Sequence, residues 1–415
     1  MIRDLFEEQL KSLRAASLDR HLREVASAQA AEIVMLGRDR RARRLINFSS
    51  NDYLGLANDS RLREVTISAI NEFGVGAGAS RLISGTQSPH RDLERALGKW
   101  KGTDAALCFS SGYAAAIGTM PALVGKNDVV LLDKLCHASL IDGAKLSGAI
   151  LRVFPHNNLR KVQNHLEWAA RIHPSKRVLI VTESVFSMDG DRAPLRELVE
   201  LKKQFNALLM LDEAHAVGVI GPHGRGLAAD QNLTDDIDVH MGTMSKALGV
   251  SGGYVCGSCS LIEWLINRAR SFIYSTAPPA AIAAAALAAV NFLSSSEGEE
   301  RRLLLWQRIR LLRKLLLSLD LGLLDTGSKR STLNAQRSTL NEDSVSAILP
   351  LIVGDEQAAM DLASALQDEG FLVPAIRYPT VAKGSARLRI TVTAAHSEDQ
   401  IRALCHTIKR VSKLA

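Results

Sequence analysis

The chain is short of several residue types, and each shortage excludes a class of protein. Aromatic residues fill only 5% of its 415 positions, too few for an obvious base-stacking platform, so no nucleic-acid partner is expected. Five cysteines are too few to staple a chain of this length as a disulfide scaffold. Two of them form Cys256-Gly-Ser-Cys259 after a strand-like Gly252-Gly253-Tyr254-Val255. A zinc site needs a second ligand pair at matching spacing, and a redox motif needs another context, so no metal is expected. Long apolar runs are missing too. The alanine-rich stretch 280–289, behind Pro278-Pro279, falls well below the roughly 18 residues of a spanning helix. The first residues, MIRDLFEEQLKSLRAASLDRHL, mix both charge signs without an apolar core, unlike a signal peptide. A cytoplasmic protein with no membrane segment is the expectation.

What remains is ordinary globular composition, with 47% hydrophobic and 23% charged residues. At about 150 residues per domain, two or three domains are expected. The net charge of +7 is concentrated: between Arg301 and Arg337 stand nine Lys or Arg against two Asp. The segment RRLLLWQRIRLLRKLLLSL reads as an amphipathic helix with its cations on the wet side. A landing site for an acidic partner, such as a carrier protein or the phosphates of coenzyme A, is the sharper alternative.

Along the chain the pattern changes twice. Residues 1–46 read as a helical arm ending in a basic, loop-like stretch (GRDRRARR). From there to about 290, strand-like runs alternate with helical ones: ALCFS, VVLLD, LRVFP, RVLIVTE and LLMLD are the clearest strands. Several are apolar on both faces, which predicts a largely parallel sheet covered by helices, an α/β fold. Residues 291–415 read as a smaller α+β domain. Within it RSTLN occurs twice, at 330–334 and 337–341, too little repetition for a solenoid and more fitting for a surface loop.

Three segments suggest chemistry. Lys246 sits among small and apolar residues in GTMSKALGVSGG. A desolvated lysine sheds its proton easily and attacks carbonyls, so it is a Schiff-base candidate, though TxxK alone is better explained by an exposed loop lysine. The strand LLMLD ends at Asp212, with His215 three residues on. Ligands of open α/β sheets bind at the carboxyl ends of strands. An acid there can hold a ring nitrogen protonated, as a pyridoxal cofactor requires, although Asp-x-x-His can also be a cap or a metal pair. Finally, Ser111-Gly112-Tyr113 lies between a strand and a helical run, where backbone N–H groups form a phosphate cradle. Thr243 could add a hydroxyl. Together the three are what pyridoxal 5′-phosphate (PLP) needs. The loop Gly74-Val-Gly76-Ala-Gly78 lacks the third glycine of a dinucleotide fingerprint and a good strand before it, so that site is rejected.

Over nearly its whole length the sequence resembles the α-oxoamine synthases, fold-type-I PLP enzymes. The resemblance is carried by NFSSNDYLGLA, GAGASRLISGTQSPHRDLERAL, FSSGYAA, HASLIDG, TESVFSMDGDRAPL, LDEAHAVGVIGPHGRG, GTMSKALGVSGGYV, FIYSTAPPA and RLRITVTAAH. It implies a PLP-binding large domain over 47–290 and a homodimer with its site at the interface. Lys246 would be the Schiff-base lysine, Asp212 would pair with the ring nitrogen, His215 would contact the ring oxygen, and His137 would stack on the ring. Ser111, Gly112, Tyr113 and Thr243 would hold the phosphate, with Thr276 supplied by the partner subunit, and Glu183 and Ser187 would lie near the cofactor. Asn51 and Arg389 would bind an amino-acid carboxylate, and Arg20 the far carboxylate of the acyl chain. The implied reaction is the condensation of L-alanine with a pimeloyl thioester, carried on coenzyme A or acyl carrier protein, in biotin biosynthesis. A glycine- or serine-using member, or a quorum-signal synthase, would keep the same cofactor residues.

Overall fold

The computed structural model describes residues 2–15, 18–37, 40–172, 175–319 and 345–412. The chain opens with helix α1 (Ile2–Ala15), a short strand β1 (Glu24–Val25), and the hairpin strands β2 (Glu32–Leu36) and β3 (Ala42–Asn47). Helical character is thus confined to the first residues of the N-terminal arm. The end of the basic stretch that the sequence suggested was loop pairs instead in β3, and Ile33, Met35 and Leu45 of the hairpin turn to one side and pack with Leu372.

Helices α2 (Ser60–Phe73) and α3 (Ser88–Lys101) lead into an alternating region. It runs β4 (Ala105–Phe109), α4 (Gly112–Leu123), β5 (Val129–Asp133), α5 (Ala138–Ser147), β6 (Ile150–Phe154), α6 (Leu159–Ile172), β7 (Val178–Glu183), α7 (Leu195–Phe205), β8 (Leu208–Asp212), α8 (Leu227–Asp230), β9 (Val239–Thr243) and β10 (Gly253–Gly257). These strands make one seven-stranded sheet in the order β4-β10-β9-β8-β7-β5-β6. β10 runs antiparallel to both of its neighbours, and the other pairs are parallel. Both faces are covered. Val129 and Leu131 belong to one apolar cluster, while Val130 and Leu132 belong to another on the opposite face.

Beyond β10 come α9 (Cys259–Arg268), α10 (Arg270–Ile273), α11 (Ala280–Leu293) and the long α12 (Ser296–Ser318). The C-terminal part holds β11 (Ile348–Gly354), α13 (Glu356–Asp368), β12 (Phe371–Leu372), β13 (Ala375–Ile376), β14 (Ala386–Thr391) and α14 (Glu398–Val411). β11, β14 and β13 form a small antiparallel sheet, and β12 adds in parallel to β3. The N-terminal hairpin is therefore sewn to the C-terminal part. The RSTLN repeat lies outside the described residues. Among the described residues, no single helix is long and apolar enough to cross a membrane.

Much of the basic side of α12 is engaged within the chain. Arg301 donates to the Leu54 carbonyl at 2.9 Å, Arg308 donates to the His396 carbonyl at 3.0 Å and pairs with Glu398 at 2.7 Å, and Arg302 is buried beside Glu299. These arginines flank the stripe that buries Leu305, Ile309, Leu312 and Leu316. Cys256 and Cys259 are both free, the first buried in β10 and the second exposed on α9.

Candidate active site

Because β10 is the one antiparallel strand, β4, β5, β7, β8 and β9 all end on the same edge of the sheet. That edge presents Phe109, Asp133, Glu183, Asp212 and Thr243 as last strand residues. A cavity of about 250 Å³ opens there. It is lined by Ser111, Gly112, Tyr113, His137, Glu183, Asp212, His215, Thr243 and Lys246, which are residues the sequence nominated, and by Ser139, Ala214, Met241 and Ser245, which it did not.

Lys246 is set by a tight loop after β9. Met244 N–H donates to the Gly252 carbonyl, Val250 N–H to the Met244 carbonyl and Gly249 N–H to the Lys246 carbonyl, each at 2.9 Å. Glu183 and Asp212 are cross-strand partners in the β7–β8 register, so their carboxylates stand side by side. Burial pushes Glu183 up, and the neighbouring Asp212 adds to it. Burial also pushes Asp212 up, against the pull of Lys246 and of the Ala214 N–H that it accepts at 2.9 Å. The Lys246 ammonium goes the other way, because desolvation lowers it and the two carboxylates only partly restore it.

His137 caps α5 and takes the Ser139 hydroxyl at 2.8 Å through Nδ1, while its backbone N–H donates to Glu183. Burial keeps its ring below the usual histidine range, hence neutral. His215 is driven further down by burial and by Lys246. Its Nδ1 lies 2.5 Å from the Tyr53 hydroxyl. Tyr53 is fully buried, and burial lifts its phenol to about 12. The same hydroxyl reaches Asn51 Oδ1 at 3.4 Å, and Asn51 Oδ1 accepts from Arg389 Nη2 at 3.1 Å. A polar chain thus joins Arg389 on β14 to His215. Tyr53 is the residue that sequence reasoning missed, although it stands inside the NDYLG motif.

On the other side of the cavity, Ser111 caps α4 by accepting from Ala114 N–H at 3.0 Å. The N–H groups of Gly112 and Tyr113, at the first turn, have no acceptor within the helix. A Cβ on Gly112 would stand 3.4 Å from the Thr243 Cβ, so cradle and hydroxyl are adjacent. The donor set fits PLP: a helix N-terminus with serine and threonine hydroxyls for a phosphate, a buried carboxylate for a protonated ring nitrogen, and a desolvated amine for an aldehyde.

Five of the nominated residues lie outside this lining: Asn51 and Arg389, joined to His215 by the polar chain above, and Ser187, Thr276 and Arg20. Ser187 is anchored through its carbonyl, which accepts from Arg389 Nε at 2.6 Å. Thr276 is exposed and bridges to Ser80 at a loop edge. Arg20 is exposed in the N-terminal arm.

The chain matches the family model of the class I and II aminotransferases over residues 43–408. It is 44% identical to the 8-amino-7-oxononanoate synthase of Geobacter sulfurreducens, covering 98% of this chain and 97% of that one. It is 43% identical to that of Geobacter metallireducens, over 95% of each chain. Among solved structures, a serine palmitoyltransferase from S. paucimobilis bound to a PLP–myriocin aldimine aligns with a TM-score of 0.87 at 29% identity, covering 99% of this chain and 98% of that one. An 8-amino-7-oxononanoate synthase from Francisella tularensis aligns at 0.73 and 28% identity, covering 89% and 98%. By sequence over most of its length, by its fold-type-I architecture and by its PLP-shaped donor set, the chain belongs to the class I and II aminotransferase family and, within it, to the α-oxoamine synthases.

Proposed function

We propose that this enzyme condenses L-alanine with a pimeloyl thioester and releases carbon dioxide, the free thiol carrier and 8-amino-7-oxononanoate, a step of biotin biosynthesis in the cytoplasm. The observation that carries the reading is the convergence of Lys246, Asp212, His137 and the Ser111–Thr243 cradle on one cavity. The relatives named for that activity, at 40–44% identity over nearly the whole chain, support it.

PLP, when bound, supplies an electron-accepting ring that stabilises negative charge at the amino-acid Cα. Ser111, Gly112, Tyr113 and Thr243 would hold its phosphate, and Asp212 would keep its ring nitrogen protonated, a cation that in turn keeps this buried carboxylate ionised. Lys246 is the base. Its depressed pKa leaves neutral amine available to take the Cα proton and to return it at the end. Asn51 and Arg389 would grip the amino-acid carboxylate, since an arginine fork matches two oxygens. With Nδ1 of His137 engaged by Ser139, its Nε2 is left to donate to the thioester oxygen as charge develops there. Arg20 would meet the far carboxylate of the acyl chain.

The protein would act as a homodimer. Val75 at 80% exposure, Ile83 at 81% and Tyr274 at 72% crowd the edge where the Ser80–Thr276 bridge joins two loops. An apolar edge of that kind fits a second copy, which would receive Thr276 at its own phosphate site.

The test is product identification by mass spectrometry from L-alanine and pimeloyl-CoA. The expected product is the nine-carbon amino ketone. The serine palmitoyltransferase structures share the fold at a TM-score of 0.87, so serine and glycine with longer or shorter acyl thioesters belong in the same panel. Turnover with either of them but not with alanine would assign another α-oxoamine synthase activity.

A further inference from the structure

His156, at the end of β6, touches no residue of the cavity lining, yet it bridges the two loops that flank it. Its Nδ1 lies 3.1 Å from Asp133 Oδ1 and its Nε2 lies 2.8 Å from Asp191 Oδ2. Asp133 is the fully buried last residue of β5, and four residues later the same turn delivers His137 to the cavity wall. Asp191 closes the loop after β7, four residues beyond Ser187. That loop is tied on itself by Phe186 N–H to the Asp191 carbonyl at 3.0 Å and Gly190 N–H to the Phe186 carbonyl at 2.8 Å.

We propose that His156 is a positioning residue that clasps these two loops and fixes where His137 stands relative to the Ser187–Arg389 anchor. The proposal rests on reading the cavity as the PLP and amino-acid site.

The clasp has three supports. Its edges are fixed by independent donors: Asp133 also accepts Leu135 N–H at 2.8 Å and Asn157 N–H at 2.8 Å, and the Asn157 side chain donates to Asp191 at 3.3 Å and to the Arg192 carbonyl at 3.1 Å. The imidazole stands edge-on to Phe186, with centroids 4.3 Å apart, so it cannot swing out of the bridge without unpacking that ring. The loop is also gripped from the opposite side by two same-face arginines of β14: Arg387 on the Met188 carbonyl and Asp189, and Arg389 on the Ser187 carbonyl. Slack at Asp191 would therefore be passed to Arg389, which holds Asn51 at 3.1 Å. Two carboxylate oxygens facing two ring nitrogens require both to be N–H, so the ring is an imidazolium. Burial opposes that charge, but Asp133 and Asp191 outweigh it and lift the group to about 10.

His156→Gln tests the clasp. Glutamine can donate to one carboxylate only and turns an oxygen toward the other. Because Lys246, Asp212 and the phosphate cradle are untouched, the visible absorbance of the bound cofactor should be retained. The induced circular dichroism of that band, which reads the cofactor's surroundings without turnover, should fall. KM for L-alanine should rise about tenfold, with kcat changed much less. Adding Asp191→Asn gives the glutamine oxygen an amide N–H to accept from, so His156→Gln/Asp191→Asn should return both the dichroism and KM close to wild type.

A role in stability alone would lower Tm and leave the dichroism and KM of the single variant at wild-type values well below Tm. That outcome, or a failure of the double variant to rescue, overturns the proposal. Should the single variant not fold, Asp191→Ala alone removes the acceptor for Nε2 while leaving Asp133 paired, and carries the same expectation. Absence of a visible band in the wild-type protein would instead overturn the reading of the cavity on which this rests.

Discussion

At the scale of single residues, the proposed chemistry hangs on Lys246. Lys246→Ala should abolish the visible band and the covalent labelling of the chain by borohydride, both read on purified protein; a label on another side chain would remove this lysine from the reaction. Asp212→Asn keeps the volume of the side chain but cannot hold a neighbouring cation. It should retain cofactor by absorbance while losing about a hundredfold or more in kcat. A pH measurement reads His156. Its folded pKa, about 10, lies above the ordinary 6.5, so between those values the folded state binds more protons than the unfolded one. The stabilisation is complete below about pH 6.5 and is lost as pH rises through 10, with a slope of at most about 1.4 kcal/mol per pH unit. Asp133 and Asp191 are the carboxylates that face the ring. Denaturation curves from pH 6.5 to 10 should therefore flatten in His156→Gln. Lys246, Asp212 and the Ser111 turn were legible in the sequence because each sits a few residues from a strand end, where local pattern already says what the backbone does. Tyr53 was not, because its partner His215 is 162 positions away and a buried tyrosine looks like core until the fold brings the two together. His156 was silent for the same reason: nothing local to FPHNN announces carboxylates from two other loops.

At the scale of elements, the strands read most clearly are the apolar ones, whose unbroken hydrophobic runs leave a plain signature. β9 was not read, and β10 showed only as the strand-like stretch 252–255. Their sequences, VHMGT and GYVCG, are as long as most of their neighbours but glycine-bearing, and they merge with the small-residue stretch around Lys246. The structure supplies the reason for those glycines. A Cβ on Gly242 would stand 2.5 Å from the Tyr254 ring. A Cβ on Gly253 would stand 2.4 Å from the Ser111 carbonyl oxygen and 2.6 Å from the Gly112 nitrogen. β10 lies directly beneath the turn that forms the phosphate cradle, and only a residue without a side chain lets the two backbones approach. Those contacts are with backbone, which cannot rotate away. Gly253→Ala should therefore push the cradle off its place and raise the apparent Kd for PLP by roughly tenfold or more, as measured by absorbance titration. Unchanged affinity would show that the cradle tolerates displacement, or that the phosphate is held elsewhere. Packing deep in the sheet should respond differently. Leu131→Ala, at a fully buried position of β5, should cost about 2–5 kcal/mol of stability in denaturant titration and leave cofactor affinity in the surviving folded protein near wild type.

At the scale of the whole molecule, the sequence pointed to a long basic helix and left its partner open, while the structure shows Arg301 and Arg308 tying α12 to the loop at Leu54 and to α14, and Arg302 buried against Glu299 of the same helix. Cations of this kind are read as a surface from sequence because hydropathy cannot distinguish an arginine that reaches water from one that reaches a carbonyl. The apolar edge is the reverse case: the sequence assigned Val75 and Ile83 no role of their own, yet they stand exposed at 80% and 81% on one rim. That rim adjoins Thr276, which lies outside the lining of the cavity around Lys246. If the rim is where two copies meet, a charge placed on it must be buried unpaired at the interface, at a cost larger than most dimers can bear. Ile83→Arg should then sediment as a 45.0 kDa monomer at concentrations where the wild type sediments at twice that mass. It should also bind PLP more weakly, because each site would lose the hydroxyl that the other copy contributes. The two readings separate the causes. A monomer with undiminished cofactor affinity would confirm the interface and take Thr276 out of the site, whereas a variant that still sediments as a dimer would move the interface to another face of the fold.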